Sequence, residues 1–88
     1  MKAIYCPWCK YIVALVKKER TCECGHVGGH YLEDGIRAEF FGKDAIPIGI
    51  GNTSFKMANR NRTYDGLGQP FDAWVVPTAN NRLKYKHR

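Results

Sequence analysis

Apolar positions in this chain fall in short clusters, each closed within a few residues by polar residues or glycine, which is strand spacing more than helix spacing. Residues 1–5 are an apolar lead, and Tyr11-Ile12-Val13-Ala14-Leu15-Val16 is rich in β-branched and aromatic side chains. The charged run Lys17-Lys18-Glu19-Arg20 then turns the chain, and Thr21 leads out of it. Residues 10–21 therefore read as a β-hairpin. Strands of about 16–20 Å out and back, at roughly 3.3 Å per residue, bring position 9 beside position 22. A helix over residues 10–20 competes, because Ile12 with Val16 and Tyr11 with Leu15 are spaced four apart. The β-branched Ile12, Val13 and Val16 favour strands.

Further on, residues 25–29 make a glycine-rich connection, and residues 30–33 read as a strand. Asp34-Gly35 is a hairpin signal. The return segment alternates, with Ile36, Ala38 and Phe40 on one face and Arg37 and Glu39 on the other. Residues 45–50 form another apolar segment, which Pro47 limits to an edge or irregular strand. Asn52-Thr53-Ser54 can cap a short helix through about Asn61, with Phe55, Met57 and Ala58 as its apolar content. Residues 64–70 are a loop, residues 71–76 a final strand closed by Pro77, and Trp74 a core residue. The tail from Asn80 is basic and expected to fray. One domain results, with an N-terminal hairpin over residues 1–27, an antiparallel extension with the helix over residues 28–79, and the tail over residues 80–88.

The cysteines change this picture most. All four lie early, as Cys6-Pro7-Trp8-Cys9 and Cys22-Glu23-Cys24, with the proposed hairpin between the pairs. Each pair offers two soft thiolates from one tight turn, the supply a tetrahedral Zn2+ needs. A chain of 88 residues buries only about 60% of its unfolded surface. A structural ion, worth about 10–16 kcal/mol in zinc-finger peptides, would supply what such a core lacks. The ligand set expected is Cys6, Cys9, Cys22 and Cys24, with His26 or His30 in place of Cys22 or Cys24 as an alternative. Four protein ligands leave no position for water or substrate, so the ion reads as structural and the protein as non-enzymatic. No run approaches the length of about 18 apolar residues that spans a membrane. With no signal-peptide design at the N-terminus, a reducing cytoplasm is expected, where thiols persist.

The formal charge is +6. Four thiolates around one Zn2+ carry −2, which lowers the protein to +4 and leaves a basic excess suited to anionic partners. Lys56, Arg60 and Arg62 accompany Asn59 and Asn61 on or after the helix. Arg82, Lys84 and Lys86 alternate with Leu83 and Tyr85 in the tail. Arginine and asparagine suit phosphates and base edges, and Tyr85 can stack on a base. A solvated helix face and a solubilising tail also account for either group alone.

Cys-x2-Cys, twelve residues, then Cys-x-Cys-Gly resembles the paired knuckles of zinc-ribbon proteins. Pro7 and Gly25 match that pattern. Lys10 stands where the first knuckle often has glycine, and the second pair is one residue short. The resemblance covers about residues 5–25 and implies a mainly β, small α+β fold: a zinc-ribbon-like antiparallel sheet with one short helix. Cys-Pro-Trp-Cys is also similar to the glutaredoxin active site, which implies thiol redox chemistry from a cysteine at a helix N-terminus. Gly28-Gly29-x-Tyr31 and Ala45-Ile46-Pro47-Ile48-Gly49-Ile50-x-Asn52-x-Ser54 resemble small proteins of bacteria and their phages, a family that implies no activity.

The function expected is contact with nucleic acid or a nucleoprotein machine through Lys56, Arg60, Arg62, Arg82, Lys84, Tyr85 and Lys86. Three others follow: a phage-type inhibitor or adaptor on a host protein, a sponge for a small anionic ligand such as a nucleotide, and last a glutaredoxin-like redox protein. Residues 49–54 motivate the sponge, since glycines ahead of a helix can present N–H groups to an anion. They have neither a P-loop lysine nor dinucleotide-binding glycine spacing.

Overall fold

A computed structural model describes residues 1–77 and 82–86. It is mainly β, two four-stranded sheets with a single short helix among the described residues. The strands are β1 (Lys2–Tyr5), β2 (Ile12–Ala14), β3 (Arg20–Thr21), β4 (Gly28–Tyr31), β5 (Ala38–Phe41), β6 (Ile46–Ile50), β7 (Ala73–Val75) and β8 (Leu83–Tyr85); α1 spans Asn52–Arg60. One sheet has the order β2-β1-β6-β7 and the other β3-β4-β5-β8. Every pairing is antiparallel except β5 with β8.

The hairpin expected over residues 10–21 does not form. β2 folds back on β1, with Tyr5 opposite Ile12, and β3 pairs with β4, with Thr21 opposite Gly28. The chain between them steps from sheet to sheet. Leu15 N–H donates to Lys2 O in the first, while Val16 O accepts from Tyr31 N–H in the second. The crossing thus falls between Leu15 and Val16, charged residues 17–19 lead on to β3, and strand propensity in residues 12–14 serves a neighbour earlier in the chain.

Between the sheets lies one apolar cluster. Ile4, Val13, Leu15 and Val76 meet Val27, Ala38, Phe40 and Leu83, with Cys6 and Cys22 among them. Close approach of β4 to its neighbours depends on glycine: a Cβ on Gly28 would lie 2.3 Å from Arg20 O and 2.9 Å from the Phe41 ring. Asp34-Gly35 makes its turn as expected. Asp34 Oδ1 accepts from the N–H of Ile36 and of Arg37, and Gly35 takes φ +69°.

Four expectations are corrected. β6 is central despite Pro47. A strand residue aims its N–H and C=O the same way, and Pro47 O accepts from Val76 N–H. The missing N–H therefore falls just past the end of β7 and interrupts nothing on the β1 side. Second, the helix has no side-chain cap, and Gly51 stands at the N-cap. Asn52 Oδ1 instead accepts from the Met1 nitrogen, and Ser54 Oγ from Asp72 N–H. Third, Trp74 is 51% exposed, lying across Gly49 and not in the core. Fourth, the described part of the tail is ordered in a sheet: Leu83 is 2% exposed, and β8 runs parallel to β5. Residues 80, 81, 87 and 88 of that tail lie outside the described residues.

Candidate metal centre

Each cysteine pair caps a hairpin, and the two hairpins come from different sheets. Cys6 to Cys9 turn β1 into β2, and Cys22 to Cys24 turn β3 towards β4. The turns close alike, Cys6 N–H donating to Tyr11 O and Cys22 N–H to Val27 O, both at 2.9 Å. Within them Lys10 N–H donates to Cys6 O and Gly25 N–H to Cys22 O. Such tight returns need a left-handed residue. Gly25 supplies it in the second knuckle at φ +80°, and Lys10, without glycine's freedom, supplies it in the first at φ +63°.

The four Sγ atoms all lie within 4.8 Å of one another. Cys24 Sγ is 3.6 Å from Cys6 Sγ and 3.5 Å from Cys22 Sγ. Sulfurs at the corners of a tetrahedron with metal bonds of about 2.3 Å stand roughly 3.8 Å apart. The cluster therefore has the size to hold one ion. Its environment is graded: Cys6 and Cys22 are 0% and 3% exposed, Cys9 is half-buried and Cys24 faces solvent.

Crowding four thiols pulls their proton affinities apart. Burial works against a charged Cys22, but Val27 N–H and the neighbouring sulfurs outweigh it and hold that thiol at about 6. Cys9 is also lowered, chiefly by the Cys24 N–H. At Cys24 the His26 N–H favours the thiolate, yet desolvation and the other sulfurs push it up to about 12. One anion is thus readily formed and the last resisted, because nothing positive stands among them. A divalent cation at the centre would remove that resistance, with release of the remaining protons.

The two histidines separate. His26 Nδ1 lies 3.1 Å from Cys24 Sγ, with Trp8 beside its ring. His30 points at Glu39 instead, 3.6 Å away on β5. The helix-dipole feature of glutaredoxin sites has no counterpart, since Cys6 ends a strand and α1 lies far along the chain.

The basic residues singled out above form two groups on different sheets. Lys56 and Arg60 are exposed one turn apart on α1, and Arg62 follows, donating to Asn59 Oδ1. On β8, Lys84 and Tyr85 are exposed beside the buried Leu83, and Lys86 follows the strand; the Tyr85 ring meets Phe40 edge-on. Lys86 reaches Glu39 at 3.6 Å. Arg82 lines an open cleft of about 220 Å3 with Lys2, Gly49 and Trp74. Sequence reasoning missed this cleft, because Lys2, Gly49, Trp74 and Arg82 are distant along the chain and no motif joins them. No helix among the described residues is long and apolar enough to cross a membrane. Comparison with protein-family models, with curated proteins and with solved structures finds no match for this chain.

Proposed function

We propose that this protein is a non-enzymatic nucleic-acid-binding module whose two sheets are pinned by one Zn2+ on Cys6, Cys9, Cys22 and Cys24. The four-sulfur cluster supports the metal half of this reading. Thiolate donors at tetrahedral spacing favour Zn2+ over hard cations such as Mg2+, and a full protein shell leaves no site for chemistry.

The observation that carries the nucleic-acid half is the segregation of charge along the chain. Residues 45–88 hold seven Lys and Arg against Asp65 and Asp72, a net +5. Residues 1–44 hold seven against six, and a centre of charge −2 turns that +1 into −1. The whole excess of the loaded protein therefore belongs to the half that carries α1 and β8. There Lys56 and Arg60 stand on the helix, Lys84 on the edge strand with Lys86 just after it, and Arg82 lines a cleft with Trp74, to which Lys2 of the other half adds a cation. Cations can follow a phosphate backbone while the half-exposed Trp74 and Tyr85 offer rings to unstacked bases. Binding to single- and double-stranded DNA and RNA across a salt titration tests this. Affinity falling linearly on a log–log plot supports it, and no binding to any of them at about 50 mM salt overturns it.

A protein partner is the second reading, and it has its own observation. Phe55, Met57, Tyr64, Leu67, Phe71, Trp74 and Val75 are all exposed, and α1 buries none of its residues. Phe55 and Phe71 meet edge-on with ring centroids 4.9 Å apart, and contiguous apolar exposure of that kind marks contact surfaces. Capture of a partner from nuclease-treated lysate, together with failure to bind any nucleic acid, would favour this reading.

A further inference from the structure

We infer that His26 is a reserve ligand of the metal centre, placed to take the coordination position of Cys24 through Nδ1. The inference rests on the metal-binding reading above and extends it to a fifth donor. Nδ1 stands 3.1 Å from Cys24 Sγ, so it already borders the position that sulfur occupies. Cys24 and His26 are both exposed, whereas Cys6 and Cys22 are sealed in the core. The bonds that close the second knuckle belong to Cys22. Its N–H donates to Val27 O, its carbonyl accepts from Gly25 N–H, and its Sγ accepts from Val27 N–H at 3.5 Å. Cys24 is thus the corner that can leave without opening the knuckle.

The linker between the two donors can adjust. Gly25 joins them, and no atom lies within 4 Å of where its Cβ would stand. His26 is also uncommitted elsewhere: its ring leans on Trp8 at a centroid distance of 6.1 Å, while His30 is turned to Glu39. With all four thiolates bound, Nδ1–H donates to Cys24 Sγ and steadies that ligand. When Cys24 is missing or blocked, the Nε2–H tautomer presents the Nδ1 lone pair to the ion, at a bond length of about 2.0–2.1 Å. Exchange of a thiolate for a neutral imidazole changes the centre from −2 to −1 and keeps it tetrahedral. Among the described residues Cys6, Cys9 and Cys22 have no such substitute, because His30 is turned to Glu39.

Co2+ titration of the full chain tests this, read by visible absorption and by competition with a chelator. The wild type comes first: if it binds no Co2+, the metal-binding reading itself fails. His26→Ala should keep the four-sulfur spectrum. Cys24→Ala should still bind one Co2+, with bands shifted towards three sulfurs and one nitrogen. The double variant should fall at least about 10-fold below Cys24→Ala, and Cys22→Ala should bind more weakly than Cys24→Ala. Equal affinity of the double and single variants would overturn the assignment, as would a Cys24→Ala protein no better than Cys22→Ala. As a measurement independent of affinity, the 15N shift of His26 Nδ1 in Zn2+-loaded Cys24→Ala should be that of a metal-bound nitrogen, and an unbound shift would count against the inference.

Discussion

Lys10 holds a left-handed backbone, φ +63°, at the point where the first knuckle must return to β2, and it is the one non-glycine residue among those described to do so. That conformation costs about 1–2 kcal/mol for an L residue. Glycine would remove the strain and give back roughly 0.5–1 kcal/mol through its looser unfolded chain. Lys10→Gly is therefore expected to stabilise the metal-loaded protein by up to about 1 kcal/mol, a rise of roughly 4–8 °C at most. Thermal unfolding measures it, and a fall would show that the lysine side chain does something the strain argument omits. Gly25→Ala should act in the opposite direction. No neighbour crowds the site, so its loss of about 1–2 kcal/mol comes from φ alone.

Asp34 illustrates the element scale, because it builds the β4–β5 turn. The Ile36 N–H, then the Arg37 guanidinium and the Arg37 N–H hold its carboxyl down at about 2, below the ordinary 3.8. A lowered carboxylate stabilises the fold above its unfolded value. That contribution is complete above roughly pH 4 and is lost as pH falls towards 2. A 13C titration of the carboxyl should be flat between pH 6 and 4, and Asp34→Ala should weaken the fold at neutral pH but far less at about pH 2 and below. β8 makes a second case. Leu83 anchors it in the core while its neighbours face water. Leu83→Ala should cost about 2–5 kcal/mol and expose the β5 edge to amide exchange. Unchanged protection of β5 would contradict the packing. The Asp34-Gly35 turn was legible because its bonds are local. The pairing of β2 with β1 was not, since propensity says that a segment is a strand but not which neighbour it meets. Nor does alternation in residues 82–86 reveal that Leu83 has a buried place waiting.

At the scale of the whole molecule, the metal would join the hairpin of one sheet to the hairpin of the other. Its removal should therefore loosen both. A strong chelator at neutral pH is expected to lower the unfolding temperature and broaden the transition, and readdition of Zn2+ to restore it; identical melts with and without chelator would exclude a structural ion. With thiolates as the proposed ligands, acid should release the metal as protons compete. For nucleic acid, each phosphate contact contributes roughly 0.7–0.9 to the log–log salt slope. Lys84→Ala or Lys56→Ala should reduce that slope by about one contact each and weaken all sequences alike.

Sequence by itself determined the candidate thiol donors, the Asp34-Gly35 turn and several of the strands, because these depend on residue chemistry and on neighbours a few positions away. Strands β3 and β8, which read as a charged turn and a frayed tail, were not among them. It also showed the positive excess, and that a thiolate centre must leave that excess to the other half of the chain. Tertiary structure alone decided which strands pair and that Pro47 can sit centrally with its missing N–H beyond the end of β7. It decided too that Trp74 faces a cleft with Lys2 and Arg82, and that the cysteine pairs arrive from two sheets. Backbone pairing and burial are settled by the whole chain at once, so contacts between distant residues leave no local trace.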